Sequence, residues 1–492
     1  MADIKFLSEL FIPHLNEEVN VPKYIHLYRV IERCIINNQL VAHSKLPSTR
    51  ALADSLLVSR NTVKSAFELL QAQGYIETRQ GAGTFVCDNK SITSAVTLIL
   101  PNTATATVKP AVKFSRLMAQ LNWQKHTENS FFDGVLAPST PAVAEFPWMQ
   151  WQKAINSAGT VMKHETSTST HGHDALREQI ASYLKIVRGV KCKKDNILIF
   201  SGSQQGMYMT LQLLINPNEA VLVENPTYFG IDGAINAIGA NKIAVDVDDQ
   251  GFNLQDSDAG KSKLAVLTPS RNYPLGYSLS LKRRLSLIDW ANQNDSWILE
   301  DDYDSEFRFS APPVTALQGL SDSTRVIYSG TFSKILHPSI RIGYLVLPDA
   351  LVEPFSVAKK LMHGNISILP QLALARFMAS GHFSAHVRRM RKLYCERRVS
   401  LTSLITKYIA RHLTLIETDG GMHCVYLLNP SIVDTQVCLQ GREVGLAMQP
   451  LSAYYSSAAD AKNGLVIGFA GYCQASQEKA IKQLSQIIKN IL

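Results

Sequence analysis

The sequence has little that would place it outside the cell or across a membrane. Its 492 residues include only seven cysteines (Cys34, Cys87, Cys192, Cys395, Cys424, Cys438 and Cys473), an odd and scattered set without a C-x-x-C pair. That spacing argues against a disulfide framework and against a zinc site, and it suits a reducing cytoplasm. No apolar run approaches the roughly 20 residues needed to span a bilayer. The N-terminus carries Asp3 and Glu9 around a short apolar patch rather than a basic segment followed by a sustained hydrophobic run, so no signal peptide is expected. Charge of one sign is only slightly in excess, 49 Lys and Arg against 41 Asp and Glu, a formal +8 that leaves room for an acidic partner such as nucleic acid. The remainder is ordinary globular material, 46% hydrophobic with a mean hydropathy of -0.01. At this length one small core is insufficient, and two or three domains are expected.

From Tyr24 onward, Leu27, Val30, Ile31, Cys34 and Ile35 recur at helical spacing, and the pattern ends near Asn37 to Gln39. Leu46-Pro47-Ser48 places a serine N-cap before a short helix through Leu56. Ser59 is the N-cap expected for a third helix that buries Val63, Ala66, Phe67 and Leu70 and turns Arg60, Asn61, Thr62 and Lys64 outward near its start. That end of a recognition helix is where bases are touched. Tyr75 to Val86 reads as two strands around a glycine-rich tip, a wing. Between Lys23 and Val86 the balance is mildly basic, and on these residues alone a three-helix domain with a solvated polar face stays open.

The segments L-P-S-T-R-A-L-A (Leu46 to Ala53), V-S-R-N-T-V (Val58 to Val63), G-Y-I (Gly74 to Ile76) and G-A-G-T-F-V (Gly81 to Val86) closely resemble the winged helix-turn-helix of the GntR regulators. The resemblance covers a domain at 21–87. It implies contacts to double-stranded operator DNA from Ser48, Arg50, Ser59, Arg60, Thr62 and Lys64, with Arg79, Gly81, Gly83 and Thr84 of the wing near phosphate or minor groove.

Residues 88–130 are rich in Ser, Thr, Ala and Asn, are interrupted by Pro101 and Pro110, and carry one helical pattern, Phe114 to Leu121. They read as a partly flexible linker or as a tether with one docking helix. From Asn196, short apolar runs alternate with helical stretches: Ile197 to Phe200, Ala220 to Val223, Ile243 to Val247, Leu264 to Leu267, Trp297 to Glu300, Val326 to Tyr328 and Tyr344 to Leu347. This is the pattern of an α/β domain with a large, mostly parallel, seven-stranded sheet, whose ligands bind beyond the carboxyl ends of the strands.

The residues just after those runs are chemically informative. Ser201 to Gly206 is a glycine turn opening a helix, whose first amides can cradle a phosphate. Tyr228 comes after the next strand and could stack on a ring; a core tyrosine is the alternative. Asp301, with Tyr303 two residues on, could hydrogen-bond a pyridinium nitrogen; otherwise Asp301, Asp302 and Asp304 are an acidic loop or a carboxylate metal site. Ser329 to Tyr344 places Lys334 beside Thr331 and Ser333 with Arg341 seven positions on, an amine, hydroxyls and a guanidinium that suit an aldehyde and a phosphate held together. Pyridoxal 5′-phosphate (PLP) needs such a set. No metal is assigned.

Over residues 131–492 the chain resembles the fold-type I aminotransferases, with a smaller C-terminal α+β subdomain expected. The joined arrangement resembles the MocR/GabR family of transcription regulators through S-G-S-Q-Q (Ser201 to Gln205), E-D-D-Y-D-S-E-F (Glu300 to Phe307), S-G-T-F-S-K (Ser329 to Lys334) and H-V-R-R-M-R-K-L-Y (His386 to Tyr394). The resemblance implies Lys334 as Schiff-base lysine, Asp301 on the pyridine nitrogen, Tyr303 near the ring hydroxyl and Tyr228 stacked on the ring. It places Gly202, Ser203, Gln204, Thr331, Ser333 and Arg341 near the phosphate, and it implies a homodimer. The expectation is a cytoplasmic DNA-binding regulator that senses PLP, an amino acid or another amine through exchange at Lys334. An active aminotransferase with a DNA-binding arm, and a constitutive DNA binder whose larger domain only dimerises, are the alternatives. Two departures bear on the ligand. Ser270 to Gly276 reads S-R-N-Y-P-L-G where the family usually has a segment like S-H-Q-F-P-T-G, and Val466 stands where many aminotransferases place an arginine for the substrate carboxylate. Arg271 is a candidate to supply that charge instead.

Overall fold

The computed structural model describes residues 22–88, 134–164, 169–255, 260, 262–310, 314–320 and 324–492. The linker expected at 88–130, with its Phe114 to Leu121 pattern, lies outside the described residues beyond position 88. The chain divides into two units, Met1–Val112 and Lys113–Leu492.

In the first unit, helix α1 (Lys23–Ile36) buries Leu27, Val30, Ile31 and Cys34 along one stripe, as their spacing requires. Helix α2 (Thr49–Leu56) begins where Ser48 Oγ accepts the Ala51 amide at 3.2 Å, and it stops at Leu57, whose φ of 53° is left-handed. Helix α3 (Arg60–Ala72) begins in the same way, with Ser59 Oγ accepting from Thr62 N at 3.1 Å. Strands β1 (Ile76–Arg79) and β2 (Gly83–Val86) pair antiparallel from Ile76 opposite Val86 to Arg79 opposite Gly83. Gly81 and Gly83 have φ of 75° and 115°, so this turn is closed by residues without a Cβ penalty. Leu27, Ile31, Leu52, Val63, Leu70, Ile76 and Val86 meet in one core, which fixes the wing on the helices.

In the second unit all seven expected runs are strands of one sheet, and a two-residue edge strand adds an eighth. The strands are β3 (Ile197–Phe200), β4 (Ala220–Asn225), β5 (Asn241–Asp248), β6 (Gly251–Phe252), β7 (Ser262–Leu267), β8 (Trp297–Asp302), β9 (Val326–Thr331) and β10 (Gly343–Val346), in the order β3-β10-β9-β8-β7-β4-β5-β6. Pairing is parallel from β9 through β5 and antiparallel at β10 and β6. The expected count of seven missed β6 because two residues after a turn carry no periodic signal.

Alternate side chains of these strands enter different cores, as a period of two demands. Ile197, Ile199, Tyr344 and Val346 point to one face, and Leu198, Phe200 and Leu345 to the other. Further along, Leu222, Ala265 and Ile298 leave the face shared by Val221, Val223, Val266 and Leu299. Both faces are covered, so the runs are continuously apolar instead of alternating. A smaller antiparallel sheet comes next in the order β11 (Leu413–Leu415), β12 (His423–Leu428), β14 (Gly464–Gly468) and β13 (Gln449–Pro450), joined to the same core by the helices His382–Ile409 and Gln474–Ile491. Among the described residues no helix is long and apolar enough to cross a membrane.

Candidate functional site

The register of the parallel strands brings the candidate residues of the second unit to one sheet edge. Asp301 lies opposite Ser329 and Asp302 opposite Gly330, so β8 and β9 end together; Lys334 comes three residues after β9. Ser329 Oγ donates to Asp301 Oδ1 at 3.2 Å. Burial pushes the Asp301 carboxyl up to about 7, and the Ser329 hydroxyl opposes that rise. Lys334 Nζ donates to the Ser139 carbonyl at 3.3 Å. Burial lowers the lysine below its ordinary value, Asp304 opposes this, and the positive charge of Arg341 adds to it. A partly desolvated lysine sheds its proton more readily and so is a better nucleophile near neutrality.

The residues expected at the anion cradle lie near one another. The helix Ser203–Leu214 begins after Gly202, whose φ of 95° favours glycine. Thr331 and Phe200 both lie opposite Gly343, and a Cβ on Gly343 would come within 2.4 Å of Ser203 N. Arg341, exposed and left-handed at φ 50°, donates from Nη2 to the Ser201 carbonyl at 3.2 Å, and a Cβ on Gly202 would lie 3.2 Å from that same nitrogen. Ser333 N donates to Thr331 Oγ1 at 3.2 Å. Gln204 Nε2 donates to the Gly230 carbonyl at 2.8 Å, beside the Tyr228 ring that Gly230 accommodates. Tyr228 feels the charges of Asp301 and Arg341, and its ring meets Tyr273 edge-on at 5.9 Å. Tyr273 in turn meets Tyr303 at 5.5 Å.

Several buried groups of this unit have no hydrogen-bond partner among the described residues: Thr227 Oγ1, Tyr303 Oη, both carboxylate oxygens of Asp304, Ser333 Oγ and His423 Nδ1. Buried polar atoms left unpaired are costly, and Asp304 and His423, which feel the charge of Lys334, and Ser333 next to it in the chain fit a polar ligand at the lysine. The donor set fits PLP: an amine, a hydroxyl and an arginine by a helix N-terminus, a carboxyl able to carry a proton, and a phenol. The acidic loop is not one cluster. Asp302 accepts from Arg188 Nε at 2.9 Å, Ser305 Oγ at 2.8 Å and the Tyr328 hydroxyl at 2.6 Å, whereas Asp304 faces Arg271 at 3.5 Å. Among the described residues no group of three or more His, Cys, Asp or Glu could hold a metal ion.

Sequence reasoning missed Ser139, Glu224, Thr268 and His423. Glu224 Oε2 accepts from Thr268 N at 3.0 Å and from Thr268 Oγ1 at 2.6 Å; His423 Nε2 bonds the Pro274 carbonyl at 2.9 Å. The one available signal was a charged residue, Glu224, ending an apolar strand. An open cleft of about 690 Å³ lined by Phe309, Arg398, Val399, Lys407 and Leu415 contains none of the candidate residues.

In the first unit Ser48 and Ser59 serve as caps, and Ser59 Oγ also bonds Thr62 Oγ1 at 2.8 Å. The hydroxyls therefore order the helix starts and leave Arg50, Arg60 and Lys64 as exposed cations; Lys64 lies 3.7 Å from Glu68. On the wing, Arg79 Nε donates to Glu77 Oε1 at 2.8 Å, and its guanidinium lies 4.8 Å over the Phe85 ring. Lys45, not anticipated as a wing residue, bridges Phe85 by its backbone and carries its amine 5.9 Å from the same ring. Thr84 pairs with Thr78, their hydroxyls 3.5 Å apart.

Two matches define the class. Residues 23–86 match the model for bacterial regulatory proteins of the gntR family, and residues 142–484 match that for aminotransferase class I and II. The chain is a helix-turn-helix regulator fused to an aminotransferase-type domain, which implies DNA binding by its first unit. It is 33% identical over 475 residues to the probable rhizopine catabolism regulatory protein MocR of Rhizobium meliloti, covering 96% of this chain and 94% of that one. It therefore belongs to the MocR family of transcriptional regulators. The pyridoxine biosynthesis transcriptional regulator PdxR of Corynebacterium glutamicum is 28% identical over 477 residues, 97% of each chain. Among solved structures, Pyrococcus horikoshii kynurenine aminotransferase aligns with a TM-score of 0.66 at 26% identity, covering 78% of this chain and 96% of that one. LysN, the α-aminoadipate aminotransferase of Thermus thermophilus, aligns at 0.67 with 21% identity over 77% of this chain and 97% of its own, a likeness of fold.

Proposed function

We propose that this regulator binds PLP through Lys334 and responds to PLP, an amino acid or another amine by changing how its winged helix engages operator DNA. The observation that carries this reading is a desolvated lysine just past the end of β9 whose charge is felt by Asp304 and His423, both of which keep buried polar atoms without hydrogen bonds. PLP, when bound, supplies an aldehyde that captures amines and a ring that withdraws electrons. Lys334 would be the capturing amine, and Asp301 would hold a proton at its carboxyl toward the ring nitrogen. Thr331, Ser333, Arg341 and the amides after Gly202 would take the phosphate, with Ser203 and Gln204 at the helix start. Tyr228 and Tyr303 would flank the ring. The relative named for pyridoxine biosynthesis and the neighbour solved with PMP accord with this chemistry.

A ligand amine that took the place of Lys334 would free the lysine side chain and alter the polar balance of the pocket without turnover. Such a change regulates only if the two states bind the ligand unequally. A homodimer, as the family resemblance implies, would present two winged helices to a two-part operator. An active aminotransferase is the second reading, because Asp301 and Lys334 lie at and just past the carboxyl ends of the adjacent strands β8 and β9; sustained keto-acid formation with a second amino acid would establish it. The test is fluorescence anisotropy on DNA from upstream of the protein's own gene and on shuffled DNA, at one fixed salt concentration, with and without PLP. Specific binding that changes with PLP is expected. Specific binding indifferent to both PLP and amines would refute the sensing role.

A further inference from the structure

The helix His382–Ile409 carries a stripe that the Lys334 pocket does not use. Cys395, Arg398, Val399, Thr402, Thr406 and Lys407 recur at helical spacing along one side of it, while Leu401, Leu404 and Ile405 enter the core. This stripe lines the open cleft of about 690 Å³, and the other lining residues, Phe309, Ser310, Leu415 and Glu417, come from two further segments. Those segments are tied to one another by the protein itself. Asp419 accepts from the amides of Phe309 at 3.3 Å and Ser310 at 3.1 Å and from Arg308 Nε at 3.4 Å, and Leu415 of β11 is paired opposite Tyr426 of β12. The cleft is therefore preformed, as small-molecule sites usually are.

Arg398 is left short of partners in this cleft. Its side chain is 16% exposed, yet Glu417, its ion-pair neighbour, stands at 3.9 Å, beyond hydrogen-bond reach, and is itself 82% exposed. The Cys424 thiol also feels the guanidinium, but sulfur is a weak acceptor, and a guanidinium has five donor hydrogens to place. Neighbouring arginines of the same helix behave differently. Arg389, Arg391 and Arg397 donate to the carbonyls of Glu145, Glu306 and Ala470 and so hold the fold. Tyr426, 2% exposed, adds an orphan: its Oη has no hydrogen-bond partner among the described residues, although it feels Thr402, Arg398 and Glu417, all three of which line the cleft. Lys407 brings a second cation nine residues after Arg398, roughly 13.5 Å along the helix axis.

We infer that this cleft is a second ligand site for a small organic anion, whose carboxylate or phosphate lies on Arg398 and whose apolar body lies along Val399, Leu415 and Phe309. The inference stands apart from the reading of Lys334, because no lining residue belongs to that pocket. The sign of the ligand follows from solvation. Arg398 and Lys407 outnumber Glu417, and Glu417 keeps its water while Arg398 has lost most of its own, so an incoming anion returns to Arg398 what burial removed. A guanidinium cannot shed its proton to admit a cation instead. The class follows from size and lining. The volume falls within the roughly 300–1,000 Å³ of small-molecule sites, far more than one inorganic ion fills, and Val399, 65% exposed, offers apolar surface that a bare ion would leave wet.

The test titrates the full chain calorimetrically with phenyl phosphate and with phenylacetate, and with inorganic phosphate and benzyl alcohol, which each keep only one half of such a ligand. At least one of the two organic anions should show a step of one site per chain, at least about tenfold tighter than either half-ligand, the scale of one hydrogen bond to a charged group. The tighter of the two identifies the head group as phosphate or carboxylate. Arg398→Gln should weaken that step by about tenfold or more. Val399→Glu, at an exposed position, sets a like charge against the anion, should weaken the same step, and guards against a first variant that fails to fold. Arg341→Gln, which alters the cradle beside Lys334, should leave the step unchanged. Neither organic anion binding more tightly than the half-ligands, or binding that survives both cleft variants, overturns the assignment. Binding lost in Arg341→Gln places the anion in the other pocket and overturns it too.

Discussion

Replacing Asp302 by Asn should unfold the larger unit far more easily than any surface change. Arg188 is 0% exposed, and its only directly bonded counter-charge among the described residues is Asp302, whose Oδ2 accepts from Arg188 Nε at 2.9 Å together with Ser305 Oγ and the Tyr328 hydroxyl. An asparagine there keeps one acceptor oxygen but brings two donors among three donors, and it leaves a buried guanidinium without its partner. Breaking such a pair costs about 3–5 kcal/mol. Glu300 and Glu306 also act on Arg188, which places the expectation near the lower end, about 3 kcal/mol. That is a large share of a stability of roughly 5–15 kcal/mol. All five tryptophans lie outside residues 22–88, so their fluorescence in urea reports the larger unit specifically. The pair Arg188→Met with Asp302→Leu should recover most of the loss, because two desolvated charges are removed together. A loss under about 1 kcal/mol in Asp302→Asn, or simple additivity in the double variant, would refute the reasoning. The functional stake is local: Asp302 adjoins Asp301, and Arg188 holds Ser270 next to Arg271.

The same geometry sets further outcomes. Without cofactor, Glu224, Asp301 and Asp304, each pushed up to about 7 by burial, bind more protons folded than unfolded between pH 4 and 7, so they stabilise less as pH rises through that range. His386 and His423, held down at about 4 and about 3 by burial, work oppositely and withdraw stability as pH falls below about 6.5. The urea midpoint should therefore rise between pH 8 and about 6.5, and a steady fall over that interval would contradict the burial of these groups. Replacing Lys334 by Ala should abolish the visible Schiff-base absorbance of added PLP; an unchanged spectrum would dismiss the lysine. Replacing Arg60 and Lys64 together by Ala should reduce the salt slope of operator binding by about 1.8, near 0.9 for each lost phosphate contact, and an unchanged slope would remove α3 from the interface. Ser59→Ala should destabilise the winged helix by about 1 kcal/mol through its lost cap, read by hydrogen exchange of the α3 amides.

The winged helix could be read from the sequence because each of its elements carries a local mark. Ser48 and Ser59 precede apolar stripes, and glycines flank the wing, so caps, periodicity and turns all agreed with the fold. Seven strands of the large sheet were likewise visible as apolar runs, whereas Gly251–Phe252 was too short to register. Lys334 and Asp301 stood out because each comes at or after a strand end, where such sheets bind ligands, and Arg341 because it follows Lys334 by seven positions. What the sequence could not decide was which distant residues share the pocket. Ser139 lies nearly two hundred positions before the lysine it contacts, and Gly421 is a hundred and fifty positions after Arg271, whose side chain it leaves room for. Nor could it tell Asp302 from Asp304. The two sit two residues apart, yet the fold sends one into a hydrogen-bonded network with Arg188 and leaves the other facing Arg271 at 3.5 Å with neither oxygen hydrogen-bonded among the described residues. Local chemistry wrote the elements and the cofactor lysine into the chain; the pairing of buried charges, which depends on a few ångströms between segments far apart in sequence, was decided only when the sheet closed.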